Sequence, residues 1–431
     1  MKYFFVLGIN PTLSLAELAA VFNHGELTLA QKNIAILETD QKIEANIIKK
    51  IGGTIKFGLI HDKTASLMAQ DILKSIATFS KPEKIETKFK FGISFYGKAK
   101  VNLKILGMEF KKWLLQSGIP SRWVVSREPT LSSVVVEQNK LTTAQGAEIV
   151  IIQFDKKLFL GKTIAVQPFK ELSFRDYGRP ARDDYSGMLP PKLAQIIINL
   201  AVSPLDKGGL GGIKILDPFC GSGTILTEAM LMEQSLPLAK GEVRRGSCLI
   251  GSDISDKALQ ATKTNISWIK KNYELRDVSY ELFHSDATKI SKCLAANSVD
   301  AIITEPYLGP QRGKLEIEKI IKELEELYSR SLMEFKKILK TNGRVVMVWP
   351  VFQRHPLSLR GNAFSPGLDP GNLTNADMAG VINPDITGFK IVNPIPANLQ
   401  KNIFINLTAR RTMVYGREQQ KVWREIVVLE K

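Results

Sequence analysis

Short apolar runs alternate with amphipathic stretches along most of the chain, and turn residues punctuate them. Tyr3–Gly8 is apolar and aromatic, and predicts a strand. Asn10-Pro11 makes a turn. Ser14 then predicts a helix N-cap, with Glu17 three residues on completing a capping box. Leu15, Leu18, Ala19 and Phe22 form the apolar stripe of that helix. Asn33–Glu38 predicts a second strand, Ile43–Ile51 is amphipathic, and Gly52–Ile60 turns into a third strand.

This alternation of strands and helices predicts a ferredoxin-like α/β domain over residues 1–80. Residues 81–165 continue in the same style as a second domain. Phe89–Tyr96 alternates with period two and predicts a strand. Leu103–Gln116 predicts an amphipathic helix that stops near Gly118-Ile119-Pro120. Arg122–Val125, Ser132–Leu141 and Glu148–Ile152 predict further strands. Phe169–Lys192 is dense in charge and contains prolines, so residues 166–186 read as a linker. Ser186–Ala194 opens an apolar helix that runs to Ala201. Ser203–Gly212 reads as a flexible Gly-rich loop.

A third domain, 166–431, is organised around Ile213–Glu228, which reads IKILDPFCGSGTILTE. Ile213–Leu216 predicts a buried strand ending on Asp217. Pro218–Gly223 is a tight turn, and Thr224–Leu231 predicts a helix. Strand, Gly-rich turn and helix N-terminus let backbone approach a ligand closely. Gly221 and Gly223 bring positive φ and no Cβ to that approach. A carboxylate at the strand end repels phosphate, so the turn suits a ligand with an ammonium or hydroxyl groups.

The strands that follow repeat the acid-at-the-end pattern. Cys248–Ile254 closes on Asp253, and Tyr280–Ala287 closes on Asp286. A carboxylate at the first of these ends is placed to accept both ribose hydroxyls of a nucleoside. Asp286 ends the next strand in the same position. His284 predicts only a strand residue with a satisfied hydrogen bond. Val299–Pro310 supplies a fourth strand and its exit loop, Thr304-Glu305-Pro306-Tyr307. Leu315–Lys340 predicts a long amphipathic helix with Asn342-Gly343 as its stop. Arg344–Val351 is a fifth strand, and residues 353–386 are a Gly/Pro/Asn-rich excursion. Phe389–Val392, Thr412–Tyr415 and Trp423–Leu429 predict the terminal strands, the last two joined by a hairpin turn at Gly416–Lys421.

Composition narrows the setting. The 431 residues are 44% hydrophobic and 24% charged, ample for packed cores in two or three domains. The net charge of +16 points to a polyanionic partner, most simply nucleic acid. No run of about 18 apolar residues is present, so no membrane span is expected. The N-terminal MKYFFVLG leads straight into a strand and helix, and reads as mature protein rather than a signal peptide. Cys220, Cys248 and Cys293 share no metal-ligand spacing and form no disulfide framework, which fits a reducing cytoplasm.

Three stretches resemble a known family. Asp217–Thr224, DPFCGSGT, resembles motif I of S-adenosylmethionine-dependent methyltransferases, in the form found in amino-methylating RNA and DNA enzymes. Arg179–Ala194, holding R-P-x-R-D and G-M-L-P-P-K-L-A, resembles the opening of the catalytic domain in tRNA (guanine-N2)-methyltransferases. Ser126-Arg127 with Leu131–Leu141 resembles the THUMP domain, which grips the acceptor end of tRNA. Lys98, Lys100, Lys104, Lys111, Lys112, Arg122, Arg127 and Lys140 are candidate phosphate contacts in that domain.

The resemblance implies a Rossmann-like seven-stranded catalytic domain with a reversed last strand, preceded by ferredoxin-like and THUMP domains. It implies S-adenosylmethionine as cofactor, held by Asp217, Pro218, Phe219, Gly221, Ser222, Gly223, Asp253, Ile254, Asp286 and Ala287. It implies transfer to the exocyclic N2 of a guanosine in tRNA, with Thr304, Glu305, Pro306 and Tyr307 at the reacting base and no metal. The family carries Asp or Asn, Pro, Pro and an aromatic residue there; Thr304 and Glu305 replace the first two. A small activating protein is a further candidate partner. Methylation of another RNA or of DNA, and a catalytically inactive RNA-binding homologue, remain alternatives.

Overall fold

The computed structural model describes residues 1–82, 88–182, 188–202, 212–234, 248–275, 279–310, 316–353, 378–416 and 420–431. Part of the linker and nearly all of the Gly-rich loop fall outside the described residues. So do most of the 353–386 excursion and the middle of the Gly416–Lys421 turn. The chain forms two compact units. One comprises Met1–Pro11, His24–Lys49 and Thr54–Pro168; the other comprises Thr12–Asn23, Lys50–Gly53 and Phe169–Lys431.

The first 166 residues contain β1 (Lys2–Leu7), α1 (Pro11–Val21), β2 (Glu26–Gln31), β3 (Ile34–Glu38) and β4 (Thr54–Thr64). They continue with α2 (Ala69–Ser80), β5 (Phe89–Tyr96), α3 (Leu103–Gln116) and β6 (Ser121–Val124). Then come α4 (Ser133–Gln138), β7 (Gly146–Phe154) and β8 (Lys157–Val166). All eight strands join one sheet in the order β2-β3-β1-β4-β8-β7-β5-β6. The sheet therefore runs straight through the boundary expected near residue 80, because β4 pairs antiparallel with β8 from Lys56–Val166 to Thr64–Leu158. Ile72, Ile76, Phe91, Phe110 and Leu114 from α2, α3 and β5 make one apolar cluster on it.

The strand expected over Ser132–Leu141 is a short helix instead. Ser132 is extended and its Oγ accepts the Val135 N–H at 3.3 Å, an N-cap that outweighs the β-preference of three valines. The core of this unit also holds an ion pair. Lys56 Nζ lies 2.5 Å from Glu148 Oε1 and 2.9 Å from the Leu131 carbonyl. Ser94 and Thr163 hydroxyls donate to Glu148 at 2.5 and 2.6 Å, so the buried charge is fully hydrogen-bonded.

Helix α1 begins at Pro11, where the missing N–H is harmless, and from Thr12 on it belongs to the second unit. Ser14 is thus inside the helix and not its cap. Glu17 instead accepts the N–H groups of Gly52 at 2.9 Å and Gly53 at 2.8 Å, and the Asn199 side chain at 2.8 Å. Burial pushes its carboxyl up to about 7 despite those bonds.

The catalytic-domain elements are α5 (Phe169–Tyr177), α6 (Pro191–Val202), β9 (Lys214–Asp217), α7 (Thr224–Gln234) and β10 (Cys248–Asp253). Next are α8 (Asp256–Asn272), β11 (Tyr280–His284), β12 (Val299–Thr304), α9 (Ile317–Ile338) and β13 (Leu339–Gln353). β14 (Met378–Val381), β15 (Lys390–Ile391), β16 (Met413–Tyr415) and β17 (Val422–Glu430) complete the set. The main sheet path is β11-β10-β9-β12-β13-β17-β15, with β14 on β13 and β16 on β17. That path holds the seven strands of the expected sheet; the strand expected over Thr412–Tyr415 is β16, which pairs off the path with β17, and β14 is additional. β9 to β13 pair in parallel, and β17 runs antiparallel to β13. Ile215, Leu216, Ile302, Ile303, Val345 and Val346 are all buried, as strands covered on both faces require. The chain goes to opposite sides of β9 to make β10 and β12, so a crevice opens at the carboxyl ends of these strands.

Candidate active site

A cavity of about 500 Å³ occupies that crevice. Of the fourteen residues expected at the site, twelve line it: Asp217, Pro218, Phe219, Gly221, Ser222, Asp253, Ile254, Asp286, Ala287, Glu305, Pro306 and Tyr307. Gly223 and Thr304 do not. Gly223 has φ +81, and a Cβ there would lie 2.8 Å from Thr262 Cγ2, so its smallness serves the packing of the turn against α8. Thr304 is wholly buried and its Oγ1 donates to Asp217 Oδ1 at 2.7 Å. The expectation that Thr304 faces the reacting base is corrected. β12 ends on it with the side chain turned to β9, and Glu305 is the next residue to reach the cavity.

The turn after β9 is held from several sides. Cys220 N–H donates to Ser252 O at 3.0 Å, and Gly223 N–H to Cys220 O at 2.7 Å. Thr262 Oγ1 donates to Gly221 O at 2.8 Å. Asn265 accepts the Ala181 N–H at 3.0 Å, and its Nδ2 is 2.9 Å from Ala181 O and 2.8 Å from Ser222 O. The segment read as a linker therefore packs on the turn. It includes a helix, α5, whose Arg175 Nε lies 2.6 Å from Glu228 Oε1 on α7, both buried. Arg179 Nη1 donates to Thr224 Oγ1 at 2.5 Å.

Each carboxylate has its own surroundings. Asp253 accepts Gly221 N–H on Oδ2 at 3.0 Å and Ser255 N–H on Oδ1 at 2.9 Å. Asp286 Oδ1 accepts Thr288 N–H at 2.9 Å and its hydroxyl at 2.7 Å. Burial raises the Asp286 carboxyl, but the Thr288 bonds and Lys289 more than offset it and hold it below the ordinary range. Burial raises Asp217 to about 7, with the Asp253 and Glu305 charges adding to it and the Thr304 and Phe219 bonds opposing. Glu305 Oε1 lies 2.5 Å from Arg424 Nε of β17. Tyr307 is 56% exposed, while its carbonyl accepts the Tyr328 hydroxyl at 2.7 Å. His284 lies 2.7 Å from Ile254 O and plays no part in the cavity lining.

Sequence reasoning missed several lining residues. Ser255 and Ala258 come from the start of α8 and Leu327 from α9, and nothing in the sequence marked them. Met188 and Leu189 also line the cavity, and they lie in the G-M-L-P-P-K string singled out by its family resemblance. The donor set fits a sulfonium nucleoside. Two carboxylates flank Ile254, which is 67% exposed beside them as an apolar surface for a planar base. Gly221, with φ +52 and no Cβ, gives the backbone approach. No cluster of metal-ligand type occurs among the described residues.

Comparison with known proteins agrees with this geometry. Residues 179–356 match the UPF0020 (RMKL-like) methyltransferase-domain family. A probable tRNA (guanine(10)-N2)-dimethyltransferase of Methanothermococcus thermolithotrophicus is 33% identical over 143 residues, 32% of this chain and 74% of that one. The chain belongs to the tRNA (guanine-N2)-methyltransferase family. A second member, the tRNA (guanine(10)-N2)-dimethyltransferase of Pyrococcus abyssi, is 23% identical over 358 residues, 81% of this chain and 88% of that one. The crystal structure of TrmN from Thermus thermophilus superposes with a TM-score of 0.50 at 18% identity, covering 100% of both chains, which shows a shared fold. Family membership accounts for the acid-ended strands and the Gly-rich turn together.

Proposed function

We propose that the protein transfers a methyl group from S-adenosylmethionine to the exocyclic N2 of a guanosine in tRNA. The observation that carries this reading is the convergence of the Asp217–Ser222 turn, Asp253, Asp286 and Glu305-Pro306-Tyr307 on one cavity. When bound, S-adenosylmethionine supplies an electrophilic methyl group on a positive sulfur that leaves as a neutral thioether. Asp253 would accept the ribose hydroxyls and Asp286 the adenine amine. Glu305, not Thr304, would accept N–H from the guanine edge and take up the proton that N2 sheds. Guanine presents N1–H beside N2–H, two donors for one carboxylate, whereas adenine alternates donor and acceptor. Tyr307 would stack on the extruded base. Positioning then supplies most of the acceleration.

Residues 81–165 would serve as the RNA-holding THUMP module. Its Lys98, Lys100, Lys104, Lys111, Lys112, Arg122, Arg127 and Lys140 are all exposed, which supports phosphate contact. The cytoplasm is the compartment consistent with a tRNA substrate and three free cysteines. No helix among the described residues is long and apolar enough to cross a membrane.

The deciding experiment is transfer of radiolabelled methyl from S-adenosylmethionine to unmodified tRNA transcripts, with Glu305→Ala and Asp253→Ala alongside. Labelled N2-methylguanosine from wild type, lost in both variants, supports the reading. Transfer that survives Glu305→Ala removes Glu305 as acceptor. Cofactor binding with no transfer into any RNA favours an inactive homologue.

A further inference from the structure

The last strand of the catalytic sheet brings a cation to the proposed amine acceptor. Arg424 lies on β17 in register with Pro350 of β13. Its Nε is 2.5 Å from Glu305 Oε1, and the two side chains are only 10% and 13% exposed. Glu305 Oε2 carries no hydrogen bond among the described residues. The cavity also receives Asp217 and Asp253, while Tyr328 of α9 is buried near Glu305. A guanidinium stays charged under all working conditions and donates in a fixed planar geometry. An Arg held through Nε also restricts the carboxylate to few orientations.

We propose that Arg424 is a positioning residue for methyl transfer: by occupying Oε1 it fixes the orientation of the Glu305 carboxylate and leaves Oε2 for the guanine edge. This rests on the methyl-transfer reading above. Arg424 touches neither substrate nor cofactor in this scheme. It acts through Glu305, so its loss and the loss of Glu305 charge are one event and not two.

The test is steady-state transfer to unmodified tRNA transcripts by wild type, Arg424→Met, Glu305→Gln and the double variant. S-adenosylmethionine affinity is measured on each by calorimetry. Arg424→Met lowers kcat about tenfold or more, with KM for tRNA and cofactor affinity within about twofold of wild type. In the Glu305→Gln background it adds no further loss, because interacting sites are non-additive. Losses that multiply, an Arg424→Met enzyme as active as wild type, or a variant that no longer binds cofactor, each overturn the inference. A wild type that methylates no RNA overturns the functional reading and this inference with it. An active wild type beside an indifferent Arg424→Met overturns this inference alone.

Discussion

Thr304 Oγ1 and Asp217 Oδ1, 2.7 Å apart, tie the ends of two neighbouring parallel strands beside the cavity. Both residues are removed from water. Thr304→Val keeps the outline of the side chain and deletes the donor. It is expected to cost about 1–2 kcal/mol, because a buried acceptor loses a partner. Urea unfolding would show a lower midpoint at unchanged slope. An unchanged midpoint would mean the bond contributes nothing net.

The same carboxyl makes stability depend on pH. Asp217 titrates at about 7 in the folded protein against 3.8 ordinarily. The folded state therefore keeps its proton more tightly than the unfolded chain. The contribution is full below pH ~4 and is lost as pH rises through ~7, with a slope of at most about 1.4 kcal/mol per pH unit. The stability difference, wild type minus Asp217→Asn, should fall between pH 4 and 7. A difference that is flat or rises over that window contradicts the assignment.

Two glycines of one turn should respond differently to alanine. Gly223→Ala meets Thr262 Cγ2 at 2.8 Å with φ at +81. It is expected to cost about 1–3 kcal/mol and to weaken cofactor binding about tenfold. Gly221 has φ +52 and nothing nearer to a new Cβ than Phe219 O at 4.0 Å. There the cost should be about 1 kcal/mol. Thermal melts and calorimetric titration with S-adenosylmethionine rank the two, and equal losses would defeat the distinction.

Arg175→Met leaves Glu228 buried without its cation. The expected cost is about 3–5 kcal/mol, and replacing both partners by apolar residues should recover much of it. Chemical denaturation of the single and double variants decides. A double variant no better than the single would show that packing, and not the stranded charge, sets the cost.

How far these features could be read from residues alone depended on the range of the interaction. Asp217–Thr224 was legible because turn, strand end and helix start are local. The parallel strands were legible from unbroken runs such as Ile302-Ile303. Glu17 misled because a capping box and a long-range clamp on Gly52 and Gly53 look alike in sequence; its partners are 35 and 36 residues away. Val134-Val135-Val136 misled because one Ser132 cap outweighed three β-branched residues. Thr304 was misplaced by one position because only the end of β12 reveals which side chain turns inward. Arg424 gave no signal at all, being 119 residues from Glu305.

The position of β17 bears on when a newly made copy becomes competent. Chains leave the ribosome N-terminus first. The Gly-rich turn, Asp253, Asp286 and Glu305 are all translated before residue 422. A nascent chain can thus assemble the cofactor crevice while β13 still has an open edge and Glu305 has no cation beside it. On the proposed chemistry the amine acceptor is complete only after that strand zips in, so the order of synthesis itself would keep unfinished polypeptides from acting on RNA.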